Sequence, residues 1–264
     1  MRELKLAGDR PARYRAVAQK ALARLSKGDP SAATLHRART HLRRLQAYLE
    51  LVGGDRQAAS VAECVARLSK LRTLQVFAQY LKVNDAPRSD RKAVKRRLRA
   101  ANDKLARARV YATMEQDIRR IVFPSVPADP AWLAERMGKV RDVHARRLRR
   151  FSAKAGSKPG RKALHRLRLA IKSMRYQEEW AQGRPFAMPG LARQLKHAQK
   201  VLGDYEDLVH FRKLAKSLGL RFAPSINKAW RKARARARAL PSAMRTGARK
   251  PASVRGGPNG KHDG

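Results

Sequence analysis

Two short runs in this chain carry the same pattern. Leu35-His36-Arg37-Ala38-Arg39 is followed by Leu42-Arg43, and Leu164-His165-Arg166-Leu167-Arg168 is followed by Ile171-Lys172. Residues three and four apart share a helix face, so each run lays a histidine and a file of cations along one side and apolar residues along another. In the first, His36, Arg39, Thr40, Arg43 and Ala47 fall together with Arg44 at their edge, while Ala38, Leu42, Leu45 and Leu49 gather elsewhere. In the second, Arg161, His165, Arg168, Lys172, Arg175 and Tyr176 share a face, away from Leu167, Ile171 and Met174. Arginine offers a rigid fork of donors, lysine a compact charge, and histidine a donor that is cationic when protonated. Cations one helical turn apart, ~5.4 Å, match a linear row of phosphate oxygens and read no base.

Further stripes repeat the theme: Arg136, Lys139, Arg147 and Arg150; Arg91, Lys95, Arg99 and Arg109; Arg193, Lys196 and Lys200. A single stripe of this kind reads as a solvated helix face. Several in one chain, with few acidic residues at i+4, read as a polyanion-binding surface. His36 and His165 serve either as phosphate donors or as structural histidines orienting a neighbouring helix. His36 and His41 are five residues apart and cannot chelate one ion together, and neither repeat histidine has Asp or Glu at i+3 or i+4. No metal site, cofactor or catalytic residue is assigned. Glu178 and Glu179 are adjacent and point apart, and Asp204 and Asp207 share a face that balances nearby charge. Phe77, Tyr80 and Phe211, among fifteen aromatic residues, are flanked by leucines and read as core rather than as base-stacking platforms.

The elements that position these faces are helices. Between Arg10 and Leu240 the chain is rich in Ala, Leu, Arg and Lys, all good helix formers, and apolar residues recur at three and four. Punctuation by Gly, Pro, Asn and Asp predicts helices over about 10–27, 31–52, 56–83, 89–123, 131–155, 162–182, 190–218 and 224–240. Pro124, Pro127 and Pro130 form the joint between four helices and four more. The paired runs share one offset, and a fainter echo aligns Leu68, Leu74 and Phe77 with Leu202, Leu208 and Phe211. An internal duplication accounts for both: halves of about 1–124 and 129–240, each burying its own apolar stripe, packed about a pseudo-two-fold axis. The segment 241–264, rich in Gly, Pro, Ser and basic residues, is expected to be disordered.

Composition sets the partner class. In 264 residues there are 63 Lys and Arg against 20 Asp and Glu, a formal net charge of +43. Self-repulsion on this scale opposes compaction unless an anion neutralises it. The longest stretch without a charged residue, Thr73 to Leu81, is far below a membrane span. The start Met1-Arg2-Glu3-Leu4 has no apolar segment of a signal peptide, and Cys64 is the single cysteine, which fits a reducing cytoplasm.

A Leu-His-x-x-Arg start on a basic helix, once in each half, resembles the CHAD domain, the conserved-histidine α-helical domain. Val201-Leu202-Gly203-Asp204-Tyr205-Glu206-Asp207-Leu208 is similar to that family's Leu-Gly-x-x-x-Asp-Leu signature. The first half departs from it with Thr73 in place of Asp, and Ser173 and Met174 interrupt the usual basic run. The resemblance implies an all-α fold of two four-helix bundles around a basic central channel. It also implies non-enzymatic binding of inorganic polyphosphate and association with polyphosphate granules in the cytoplasm. The residues expected to carry binding are His36, Arg39, Arg43, Arg44, Lys95, Arg99, Arg147, Arg161, His165, Arg168, Lys172, Arg175, Tyr176, Lys196 and Lys200. Two alternatives stay open: a nucleic-acid-binding protein held by the same charge, and an accessory subunit of a polyphosphate-metabolising enzyme. No membrane partner is expected.

Overall fold

The computed structural model describes residues 2–28, 31–127, 129–154 and 159–247. The described residues form helices only, in the order α1 (Arg2–Ser26), α2 (Ala32–Leu51), α3 (Asp55–Arg67), α4 (Ser69–Val83), α5 (Arg88–Arg107), α6 (Val110–Arg119), α7 (Pro130–Lys154), α8 (Arg161–Ala181), α9 (Pro189–Ser217) and α10 (Ala223–Gly247). Ser31 starts α2 as an N-cap, its hydroxyl accepting from the Thr34 amide. Pro189 opens α9 at its first turn, where the missing amide costs nothing.

Eight helices were expected and ten are found because two of them break. The break between α3 and α4 falls at Leu68, in a run of good helix formers, and its cause is tertiary. The Arg39 guanidinium of α2 donates to the Val65 carbonyl at 2.7 Å and to Ser69 Oγ at 3.0 Å, and Ser69 Oγ itself donates to that carbonyl at 2.9 Å. Side chains inserted into the i→i−4 ladder kink a helix. The break between α5 and α6 turns on Arg109, at φ 50°. It lets one covalent stretch serve two surfaces, since α5 lies on α4 and α6 lies on α1. At the ends, α1 begins well before Arg10 and α10 runs through Pro241 to Gly247, past the expected stop at Leu240. The rest of the expected disordered tail, 248–264, lies outside the described residues.

The two basic helices, α2 and α8, pack against each other at the centre. Their C-terminal ends are tied reciprocally by the first helix of the opposite half. Arg10 of α1 donates to the Trp180 and Gln182 carbonyls, both at 2.9 Å, and Arg136 of α7 donates to the Leu51 carbonyl at 2.8 Å. A cation at a helix C-terminus meets carbonyls with no intrahelical partner and the negative end of the dipole.

Burial departs from a simple two-core arrangement. One core joins α1, α2, α3 and α6 but also takes Met137, Trp180 and Ala181 from the second half. A second joins α8, α9 and α10. A third is shared, with Phe77, Leu81, Ala86 and Val94 packed on Leu208, Phe211, Ala215, Leu220 and Ile226. At its centre Phe77 and Phe211, aligned by the sequence echo, stack with centroids 4.7 Å apart, and Tyr80 leans on Phe211 at 5.1 Å.

Phe77→Ala should lower unfolding free energy by about 3–5 kcal/mol, the range for a buried phenylalanine truncated to a cavity, measured by urea denaturation. In a cycle of Phe77→Leu and Phe211→Leu, the coupling should be about 0.5–1.5 kcal/mol, the worth of an aromatic pair beyond its area. A coupling near zero would mean the rings fill space independently.

Candidate anion-binding centre

Where α2 meets α8, five cationic side chains influence one another: Arg39 and Arg43 from α2, and Arg168, Lys172 and Arg175 from α8. Burial lowers Arg39 to a pKa of about 10, with Arg43, Arg72 and Arg168 adding to the effect. Burial also lowers Arg43, helped by Arg168 and opposed by Tyr176 and Glu50. Lys172 is affected most: burial, then Arg43, Arg168, Arg39 and Arg175, pull its ammonium down to about 6 from an ordinary 10.5. The Nε atoms of Arg43 and Arg168 are buried with no hydrogen-bond partner. Buried donors are normally satisfied, and an orphan costs about 1–3 kcal/mol.

Other members of the expected set are already engaged. Arg175 donates to Gln199 Oε1 at 2.7 Å, pairs with Glu179 and lies 4.3 Å from the Tyr176 centroid. Arg44 stands 3.7 Å from Glu179. These contacts read as framework around the cluster. Glu50 braces it from α2, accepting from Gln46 at 2.7 Å and from Ser173 of α8 at 3.0 Å. Glu178 is held by Arg141 through two hydrogen bonds of 2.6 and 2.8 Å.

The two repeat histidines, alike in sequence, meet opposite surroundings. His165 Nδ1 lies 3.5 Å from Glu206, which also faces Arg161 at 3.6 Å and His210 Nε2 at 3.4 Å. This shell holds the Glu206 carboxyl down at about 2, His210 contributing most. Burial raises the neighbouring Asp207, against the pull of Arg168, His210 and Arg72. At the aligned positions of the first half stand Arg72 and Thr73. His36 therefore faces arginine: burial, then Arg72, Arg39 and Arg44, lower its pKa. The second-half flank is neutralised from within, and the first-half flank is not. Arg72, Glu206 and His210 belong to this centre and were absent from the expected set; their signal was the aligned signature itself, where Arg72 occupies the place of Glu206.

The remaining expected residues spread outward. Arg43 and Lys172 open into a groove of about 730 Å³ between α2, α7 and α8, which Arg136, Lys139, Arg147 and Arg166 also line. Lys196 lines a groove of about 470 Å³ with Arg10, Arg44 and Arg193. Lys200 is exposed beside Asp204 at 3.0 Å. Lys95 and Arg99 stand exposed on α5; the α5 residue that lines a groove is Arg97, facing Lys70 and His210. Among the described residues no group of three His, Cys, Asp or Glu side chains could hold a metal ion, and no helix is long and apolar enough to cross a membrane.

A search of curated proteins returns no match. Among solved structures, the crystal structure of the CHAD domain from the plant Ricinus communis superposes with a TM-score of 0.61 at 18% sequence identity, covering 90% of this chain and 88% of that one. At that identity the likeness speaks for the helical fold. The sequence model of the CHAD domain itself matches residues 12–216, from within α1 to the last turn of α9 and so across both histidine-bearing helices. That match covers most of the sequence, and the chain belongs to the CHAD family.

Proposed function

We propose that the protein binds inorganic polyphosphate without acting on it chemically, at the centre where α2 meets α8. One observation carries this reading: Arg39, Arg43, Arg168 and Lys172 crowd together half-buried, two of them with orphaned buried Nε donors. Such a cluster opposes folding of the free protein and gains from an anion. Family membership fits the reading in general terms. The reciprocal ties of Arg10 and Arg136 and the Phe77–Phe211 stack support the internal duplication, in which the cluster lies on the pseudo-two-fold axis and the adjoining grooves continue it as a channel. Glu50, Glu178 and Glu179 beside the cluster are engaged with amide, hydroxyl or basic side chains, which supports a binding rather than a hydrolytic role. Recruitment to polyphosphate granules in the cytoplasm would follow from such binding.

Titration of one sample with polyphosphate and with duplex DNA, at matched phosphate concentration and physiological salt, separates the readings. Polyphosphate is thin enough to enter a helical cleft and should bind tighter. Equal affinities would favour the nucleic-acid reading. Co-purification with an active polyphosphate kinase or phosphatase would favour the accessory-subunit reading.

The variant Arg43→Ala, Arg168→Ala, Lys172→Ala retains Arg39, whose guanidinium holds the break between α3 and α4. It should stay folded and bind polyphosphate at least about tenfold more weakly. Its log K against log salt line should be shallower by about 0.7 per lost contact, the single-strand value. Replacing Arg245, Arg249, Lys250 and Arg255 by Ala is the control. Equal losses in both would mean diffuse attraction without a centre.

Lys172 gives the pH dependence a sign. In the free protein its ammonium is lost above about pH 6, whereas bound phosphate favours the charged form. Binding near pH 7 should therefore take up a proton, and affinity should fall as pH rises from 6 toward 9, by at most about tenfold per unit for one proton. The free protein behaves oppositely: between about 6 and 10.5 the unfolded chain holds the extra proton, so its stability rises with pH across that window. Lys172→Met should flatten both trends, read by calorimetry in buffers of differing ionisation enthalpy and by melting curves.

A further inference from the structure

Away from the α2–α8 centre, α9, α10 and the start of α8 enclose a separate groove of about 650 Å³. Six cations line it, Arg161, Arg212, Lys213, Lys216, Arg234 and Arg238, of which Arg161 also faces Glu206 at 3.6 Å, and among the described residues no carboxylate lines it. Beside Asn227, the rest of its wall is largely apolar, with Tyr205, Val209 and Trp230. The guanidinium groups of Arg212 and Arg234 lie over the Trp230 ring at 4.0 and 5.0 Å from its centroid, and Arg212 is fixed by donating to Asn227 Oδ1 at 2.6 Å. Two N–H donors of lining residues, Trp230 Nε1 and Arg238 Nε, are buried with no partner. Gly160, also lining, is the N-cap of α8, and no side chain caps that helix.

These features ask for a ligand of two parts. The cations and the uncapped α8 terminus suit a phosphate group. The tyrosine, valine and tryptophan walls suit a flat, weakly polar body, and guanidinium planes on an indole extend a stacking shelf. The volume lies within the range of small-molecule pockets, about 300–1,000 Å³. Bare polyphosphate would satisfy the charge and leave the apolar wall in water. We propose that this groove between α9 and α10 binds a nucleoside di- or triphosphate, its phosphates on the Arg and Lys side chains and the α8 terminus and its base against the Trp230 shelf.

The test uses the full chain labelled with ¹⁵N, following the indole N–H resonances of Trp132, Trp180 and Trp230, with Trp230→Phe to assign the last. ATP should shift the Trp230 resonance saturably and leave Trp132 and Trp180 in place. Inorganic tripolyphosphate should act there at least about tenfold more weakly, and adenosine should not act. The variant Lys216→Ala, Arg234→Ala should lose ATP affinity at the groove by about tenfold while changing polyphosphate affinity by no more than about twofold. Should that variant unfold by circular dichroism, the exposed pair Lys213→Ala, Lys216→Ala carries the same expectation. Equal potency of tripolyphosphate and ATP at Trp230, binding of adenosine as tight as ATP, or an ATP response unmoved by the folded variant would overturn the proposal. The proposal is independent of the polyphosphate reading: Arg43→Ala, Arg168→Ala, Lys172→Ala should leave the Trp230 response to ATP intact, whatever that variant does to polyphosphate.

Discussion

Like charge pressed into a helix interface governs this molecule. Two unit charges about 4 Å apart near a protein surface interact by about 4 kcal/mol at an effective dielectric constant of 20. The α2–α8 contact gathers Arg39, Arg43, Arg168, Lys172 and Arg175. Apolar packing elsewhere must offset that repulsion. The helices contribute three cores, and Leu35, Ala38, Leu42 and Leu45 on the buried side of α2 are fully removed from solvent. The protein also yields chemically, since burial and its cationic neighbours lower the Lys172 ammonium to about 6 from an ordinary 10.5. Among the described residues, only Glu179 of the ion-paired carboxylates pairs with a cluster member, Arg175, while Glu206 is drawn to two histidines and an arginine and Glu178 to Arg141 at the flanks.

The same residues shape the backbone. Arg39 is a cluster member and also the donor that removes the Val65 carbonyl from its helix ladder. The bend between α3 and α4 is thus coupled to the charge at the centre. Beyond the bend, Arg72 lies among the groups acting on His36, Arg39 and Asp207. One guanidinium links the electrostatics of the centre to the path of the third helical stretch.

Much of this was legible in the sequence, because it rests on local periodicity. The stripes of α2 and α8, their core-facing leucines, the Pro124–Pro130 joint and the aromatic character of the core follow from residue spacing and proline stereochemistry. What was illegible depends on contacts between distant segments. The break at Leu68 lies among strong helix formers and needs Arg39 from another helix. The contrast between His36 and His165 depends on whether Arg72 or Glu206 sits opposite, a fact carried by a different helix. The stripes of α2 and α8 are buried largely within their own halves, but Trp180 and Phe211 pack across the boundary, which periodicity alone does not reveal. Lys95 and Arg99 share a helical stripe with Arg91, yet the wall of a groove is built by Arg97, on nearly the opposite side of the helix.

The shared core has a consequence for how the chain is made. Phe77, Leu81 and Val94 are covered by Leu208, Phe211, Ala215 and Ile226, which lie about half the chain further on and leave the ribosome late. Closing so long a loop is entropically costly, and domains fold as units during synthesis. Until those residues are made, the apolar side chains of α4 and α5 have only each other for cover. That surface is adjacent to a strongly cationic chain, which discourages self-association while it waits. The shared core can close only once α9 and the start of α10 have emerged.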